Sequence, residues 1–418
     1  MNVASIAFAY TRRSPLMTLL NVVLLMLGVA TMTLLLLLSR ALDQRMQRDA
    51  HGIDLVVGAK GSPMQLILAG VFQVDVPPGN IPLAEVQKLR ENRLVKQVIP
   101  ISLGDSYRGF RIVGTEPALI QHYGATLAAG QLWQAPLEAV LGSEVARASG
   151  LAIGDRFAGT HGLVAGGEEH SDNPYRVVGI LHSTGSVVDR LVLTSLESVW
   201  KIHEHEELEH AGQATTVEGA GADAAQPDAP KPWEEPSARE VTMALVQYAT
   251  PLAVASLPRA IDRETSMQAA SPAYESARLF SVFGVGADVL RGFAVVLVIA
   301  ATLGIFIALY QSMNERQFDI AIMRTLGASR AKVCSMLLLE SLFLAAVGAV
   351  AGIVLAHAIL ASIGRWLPEA ASLAYGASTL IPGEAVVVAL VLVAGVLAAL
   401  TPAWRAYRLD VASVLAKG

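Results

Sequence analysis

From Ser14 to Ser39 the chain carries no charged side chain, and three further uncharged runs follow at 292–314, 341–364 and 385–404. Each approaches the roughly 20 apolar residues that a helix needs to cross a hydrocarbon core. Four membrane helices are therefore predicted, with both chain ends on one side. Arg12 and Arg13, then Arg316, Arg324, Arg330 and Lys332, then Arg405, Arg408 and Lys417 all fall on that side. The opposite loop at 365–381 carries Arg365 as its one basic residue. Basic residues concentrate in short cytoplasmic segments, so the termini are expected in the cytoplasm. Arg12 and Arg13 would also suit the basic leader of a cleaved signal peptide. The apolar run that follows exceeds the 7–15 residues of a signal core, which favours an uncleaved helix.

The long polar interval between the first and second runs reads differently. Short apolar pieces punctuated by Gly, Pro and Asp predict strands at Asp54–Val57, Val71–Val76, Tyr107–Val113, Ala139–Leu141, Tyr175–Leu181, Arg190–Leu193 and Leu245–Tyr248. Helices are expected at about 82–92, 143–149, 195–210 and 251–268. This mixture indicates an α+β domain. From Pro272 to Gln311 little besides glycine interrupts a helical reading, so the second span is expected to continue outward as a stalk. Residues 211–240, rich in Ala, Gly, Pro, Asp and Glu, read as a flexible loop.

The expected organisation begins with a segment and first membrane helix at 1–40, a periplasmic α+β domain at 41–285 with an acidic Pro/Ala-rich loop at 203–240, and a second helix at 286–312. A cytoplasmic loop at 313–332, a third helix at 333–364, a short outer loop at 365–381, a fourth helix at 382–404 and a tail at 405–418 complete it. Composition agrees, with 53% hydrophobic and 16% charged residues and a mean hydropathy of +0.48. A net charge of −5 and the lack of a basic block argue against nucleic acid as a partner. The one cysteine, Cys334, excludes an internal disulfide. No Gly-x-x-x-x-Gly-Lys-Ser/Thr phosphate loop occurs, so any ATP would have to be bound by another chain. No Ser/His/Asp or Cys/His constellation can be assembled either, and no enzyme is expected.

One charged, amphipathic piece lies between the second and third spans. Phe318, Ile322 and Leu326 recur at four-residue spacing, with Ile320 and Met323 broadening the stripe, while Glu315, Arg316, Asp319 and Arg324 are its polar remainder. Asn314 suits an N-cap and Gly327 a C-cap, which predicts a short helix.

The sequence of this piece, Glu-Arg-Gln-Phe-Asp-Ile-Ala-Ile-Met-Arg-Thr-Leu-Gly-Ala-Ser-Arg at 315–330 with Leu-Leu-Leu-Glu-Ser at 337–341, resembles the FtsX-like permeases, which include the MacB and lipoprotein-releasing (LolC/LolE) transporters. Further similarity lies in Leu-Gly-Ser-Glu-Val-Ala at 141–146, Ile-Gly-Asp-Arg-Phe at 153–157 and Pro-Ala-Trp-Arg-Ala-Tyr-Arg-Leu-Asp at 402–410. Val177–Leu193 is similar to the segment by which that family's chain returns to the membrane-proximal part of its periplasmic domain. The resemblance implies the permease subunit of an ABC transporter in a bacterial inner membrane, working as a homo- or heterodimer. It implies a separate ATPase subunit that binds ATP and Mg²⁺, so this chain would hold no cofactor of its own. The short helix would be the coupling helix, with Glu315, Arg316, Phe318, Ile322, Arg324, Leu326 and Gly327 at the ATPase contact. The periplasmic domain would then act on a periplasmic protein, a lipoprotein or another membrane-anchored substrate. Two other readings stay open: a non-transporting FtsX-type regulator of a periplasmic enzyme, and a metal-responsive extracytoplasmic binding protein.

The last reading rests on His203–His210. On a helix His203, Glu207 and His210 share a face whose chemistry suits zinc, although a solvated acidic helix end explains the same residues. The zinc-protease motif fails, because Glu207 and Glu209 stand where a second histidine belongs. His161 and His170 read as loop residues. Within the third span, His357 suits a hydrogen bond to a neighbouring helix, and Gly348 and Gly352 form a small-xxx-small face for close helix packing within the chain or with a second copy.

Overall fold

The first apolar run forms a helix that does not stop where charge begins. In the computed structural model, which describes residues 15–162, 172–202, 239–315, 317–366 and 379–408, α1 spans Pro15–Asp49 and so continues through the polar stretch from Arg40. The chain divides into two units, one of residues 45–280 and one of residues 1–44 with 281–418.

The unit at 45–280 is the α+β domain. It opens with β1 (Leu55–Ala59), α2 (Pro63–Gly70), β2 (Ile81–Pro82), α3 (Leu83–Arg90), β3 (Val95–Tyr107) and β4 (Phe110–Thr115). There follow α4 (Ala118–His122), β5 (Leu127–Gly130), β6 (Glu138–Leu141), α5 (Ser143–Ser149), β7 (Arg156–Phe157), β8 (Thr160–His161) and β9 (Tyr175–Leu181). A 3-10 turn at Val187–Arg190 leads into β10 (Leu191–Thr194) and a helical stretch over 196–202. Then come β11 (Glu240–Val241), β12 (Met243–Tyr248), α6 (Ala253–Glu264) and β13 (Met267–Ala270).

Among the described residues, eleven strands form one mixed sheet in the order β13-β1-β12-β3-β4-β10-β6-β9-β5, with β7 on β9 and β8 on β3. The pairs β4/β10 and β6/β9 are parallel. Strands β1 and β12 are apolar at successive positions because both of their faces are covered. Val56, Met243 and Leu245 enter one core with Leu66 and Ile67 of α2. Leu55, Val57, Ala244 and Val246 enter another with Val86 and Leu89 of α3 and Leu257 and Ile261 of α6. Each large side chain so buried contributes about 1.5–3 kcal/mol.

The motif at 141–146 has a steric explanation. A Cβ on Gly142 would lie 2.3 Å from the Val188 carbonyl oxygen and 2.4 Å from that of Asp189, so only glycine lets the 3-10 turn close on the start of α5.

Several expectations from the sequence are corrected. Val71–Val76 is not a strand: Val71 caps α2, Gln73 takes φ 58°, and the loop is held by Arg111 donating to the Asp75 carbonyl at 2.8 Å and by Gln65 donating to the Val76 carbonyl at 2.7 Å. Tyr107–Val113 is not one strand but the corner of the β3/β4 hairpin, where Arg108 (φ 49°) and Gly109 (φ 82°) have the left-handed geometry of a two-residue turn. The helix expected over 251–268 ends at Glu264, and β13 follows it.

Helix α7 runs unbroken from Pro272 in the α+β unit to Glu315 in the other, where α8 (Gln317–Thr325), α9 (Arg330–Trp366) and α10 (Pro382–Arg408) follow. Among the described residues, four helical segments are long and apolar enough to cross a membrane: Thr18–Asp49, Gly286–Gln311, Arg330–Ile363 and Pro382–Arg408.

Candidate functional site

The amphipathic piece forms α8, and its two faces have different fates. Phe318, Ile322 and Leu326 are 47%, 39% and 77% exposed, whereas Ile320 and Ala321 are 5% and 0% exposed and lie inward with Met323 in the core of the membrane unit. Ile320 and Met323 thus do not broaden the outer stripe as the spacing suggested. They anchor the helix from behind, since two residues turn a helix by about 200°. Asn314 is not an N-cap, because α7 continues through it to Glu315. The far end closes as expected of glycine: Gly327 takes φ 95°, and the amides of Gly327 and Ala328 donate to the carbonyls of Arg324 and Met323 at 3.1 and 3.0 Å. Arg324 is half-buried. Glu315 ends α7, and Arg316 lies outside the described residues.

The small-residue face is filled from within the chain. A Cβ on Gly348 would stand 2.7 Å from Leu25 Cδ2, and one on Gly352 would stand 2.6 Å from Val29 Cβ and 2.8 Å from the Met26 carbonyl oxygen. Helix α1 therefore lies in backbone contact with α9 along that face. Gly395 of α10 faces Ala345 in the same way, and Ser341 donates to its carbonyl at 2.5 Å. His357 meets α10 through Glu384, Nε2 to Oε1, at 3.2 Å.

In the α+β domain, the end of α1 is built into the fold. Asp49 is buried, its Oδ1 accepts from the Val187 amide at 2.8 Å, and its carbonyl accepts from the Tyr123 hydroxyl at 2.9 Å. Asp189 organises the approaching loop by accepting from Ser183, Thr184 and Gly185. Burial lowers the pKa of His122, whose Nε2 sits 2.9 Å from the His51 carbonyl. The amide of Gln134 and the Arg176 guanidinium hold Glu138 below the usual carboxylate range despite its burial.

His203, Glu207, His210 and His170 lie outside the described residues, and His161 pairs through its backbone in β8 with Asp105. Among the described residues, no group of three His, Cys, Asp or Glu side chains is placed to hold a metal ion. Sequence reasoning missed the Asp49 joint and Glu384. The second had a visible signal, as the acidic residue that opens the fourth apolar run.

Four apolar helices with a large α+β insert after the first define a polytopic inner-membrane protein with a periplasmic domain. Residues 18–230 match the MacB-like periplasmic core domain and residues 291–411 the FtsX-like permease C-terminal region. The chain belongs to the FtsX/MacB family of permease-type proteins. It is 29% identical over 147 residues to the ABC transporter permease YtrF of Bacillus subtilis (strain 168), a match covering 32% of this chain and 33% of that relative. Among solved structures, the periplasmic region of MacB from Actinobacillus actinomycetemcomitans aligns with 56% of this chain and 98% of its own, at 11% identity and a TM-score of 0.33. The extracellular domain of the noncanonic ABC-type transporter YknZ from Gram-positive bacteria aligns with 52% of this chain and 98% of its own, at 11% identity and a TM-score of 0.28.

Proposed function

We propose that this chain is the transmembrane subunit of an ABC transporter that carries ATP-driven motion from a separate ATPase to its periplasmic domain, working in pairs. The observation that carries this reading is the face of α8, on which Phe318, Ile322 and Leu326 stand exposed while Ile320 and Ala321 fix the helix to the membrane unit. An apolar stripe on a rigidly backed short helix is suited to enter a partner's groove. Helix α8 follows directly on α7, whose 44 residues reach back without a break to Pro272, beside the last strand of the periplasmic domain. At 1.5 Å per residue such a helix is about 66 Å long and can act as a push rod. The substrate is a periplasmic or membrane-anchored molecule that need not pass through the four helices.

Co-purification of the ATPase with full-length protein tests this. Phe318→Asp should insert in the membrane normally and lose the ATPase, since a carboxylate buried in an apolar groove is not tolerated. Wild-type recovery of the ATPase with that variant would refute the assignment.

A further inference from the structure

Among the described residues, the fourth membrane helix has a face that no other part of the chain covers. Val386, Leu390, Val393, Leu397, Leu400, Trp404 and Tyr407 follow one another at alternating four- and three-residue steps along α10, and all are exposed. At those steps they form one stripe along the whole span. Its composition changes only in the last turn and a half, from aliphatic to aromatic, and there the character of its surroundings changes as well.

At that end Trp404 and Tyr407 stack, with ring centroids 6.2 Å apart and planes 16° from parallel. The guanidinium of Arg408 lies 4.7 Å from the Trp404 centroid, and that of Arg330, the first residue of α9, lies 5.7 Å from the Tyr407 centroid. Lys332 is two residues further into α9, and Arg405 lies over Tyr310 on the adjoining side of α10. Among the described residues, none of Arg330, Lys332, Arg405 and Arg408 forms an ion pair. With the domain between the first and second spans in the periplasm, this end of α10 faces the cytoplasm.

We propose that Trp404, Tyr407, Arg408 and Arg330 form a binding site for the phosphate headgroup of an anionic phospholipid of the inner leaflet. The aliphatic part of the stripe lies along the acyl chains, the aromatic pair sits at the depth where amphipathic rings favour the interface, and the two guanidinium groups stand at the phosphate level. Stacking on the rings holds the arginines in place, so less side-chain freedom is lost when a phosphate arrives. An acidic protein surface would satisfy the charges but not the stripe that leads into them, which continues the lipid-facing surface of a membrane span. A second copy of the chain would cover the stripe but would bring the same four positive charges to the contact.

The test is native mass spectrometry of the full-length protein from nanodiscs containing equal amounts of phosphatidylglycerol and phosphatidylcholine. Wild type should retain phosphatidylglycerol selectively. Arg330→Gln/Arg408→Gln should lower that preference by roughly twenty-fivefold, at about fivefold for each basic residue near an anionic surface. Trp404→Leu keeps the apolar stripe and should weaken the preference less. Should the double variant fail to fold, the wild-type comparison still decides, because equal retention of the two lipids by wild type overturns the proposal. So does an unchanged preference in a folded double variant. Displacement of the lipid by inorganic phosphate would make the site one for the free ion and also overturn it, as would a double variant that loses self-association or its ATPase while keeping the lipid preference.

Discussion

His357 Nε2 on α9 lies 3.2 Å from Glu384 Oε1 in the first turn of α10, with the carboxylate almost wholly buried. A carboxylate in that position needs its partner more than the partner needs it. We predict that His357→Ala costs about 1–3 kcal/mol by leaving the buried Glu384 carboxyl without this partner. His357→Gln, which keeps a donor, should cost less, and His357→Leu/Glu384→Leu should recover most of the loss. Thermal denaturation in detergent ranks the variants, and equal melting of His357→Ala and wild type would dismiss the pair as a stabilising contact.

The close contacts of α1 with α9 predict an order among glycines. Gly352→Ala should destabilise most, by about 1–3 kcal/mol, because its new Cβ meets the Met26 backbone as well as Val29. Gly348→Ala meets the Leu25 side chain first, whose Cδ2 at 2.7 Å can turn aside although its Cβ at 3.0 Å cannot, and should cost less. Gly292→Ala has nothing within 4 Å of its Cβ and should match wild type or gain slightly in helix propensity. Melting temperatures in any other order would contradict the packing.

On α8 the inner and outer residues should fail differently. Phe318→Ala should weaken ATPase binding by roughly thirtyfold, the loss of about 2 kcal/mol typical of an aromatic anchor, without lowering the melting temperature. Ile320→Asn should lower the melting temperature of the chain alone, because it places an amide among the buried apolar side chains that Ile320 packs against. Both measurements need only the purified chain and its ATPase.

Acid should weaken the periplasmic domain in two separate windows. The pKa of His122 is depressed by burial, so its contribution is complete above the unfolded value near 6.5 and is lost as pH falls through the lower folded value. Glu138 is also depressed, from 4.5, chiefly by the Gln134 amide, so its contribution is lost at lower pH still. Melting temperature followed from pH 8 to pH 2 should decline in both windows, offset in part between about 6 and 3.8 by Asp49, whose pKa burial raises to about 6. His122→Gln should flatten the upper decline alone, and Glu138→Gln the lower.

The elements that sequence made legible are those whose own residues decide their structure. Tyr175–Leu181 and Ser143–Ser149 form where the apolar alternation and the Gly142 and Gly150 boundaries place them. The membrane helices follow from length and composition. What escaped depends on distant partners. The thirteen residues of β3 contain Pro100 and Gly104, which read as interruptions, yet β12 and β4 hold the strand on either side. Val71–Val76 has the composition of a strand, but its carbonyls are taken by Arg111 and Gln65, remote in sequence or on another element. On α8 Phe318, Ile322 and Leu326, at four-residue spacing, stand exposed, and only burial by the rest of the membrane unit could assign Ile320 to the opposite side.

Strands β1 and β13 pair side by side, Val56 opposite Ala270, although nearly the whole periplasmic domain lies between them in the chain. Paired strands hold their backbones about 5 Å apart, so the domain leaves the chain and returns to it at one point. For the chain entering and leaving the seam, such an insertion is equivalent to a tight hairpin, and the entropy of closing the long loop is met by the domain's own sheet. A seam of this kind makes the domain a detachable cassette. A body of different size built on the same two strands would leave the chain and return to it at the same spacing.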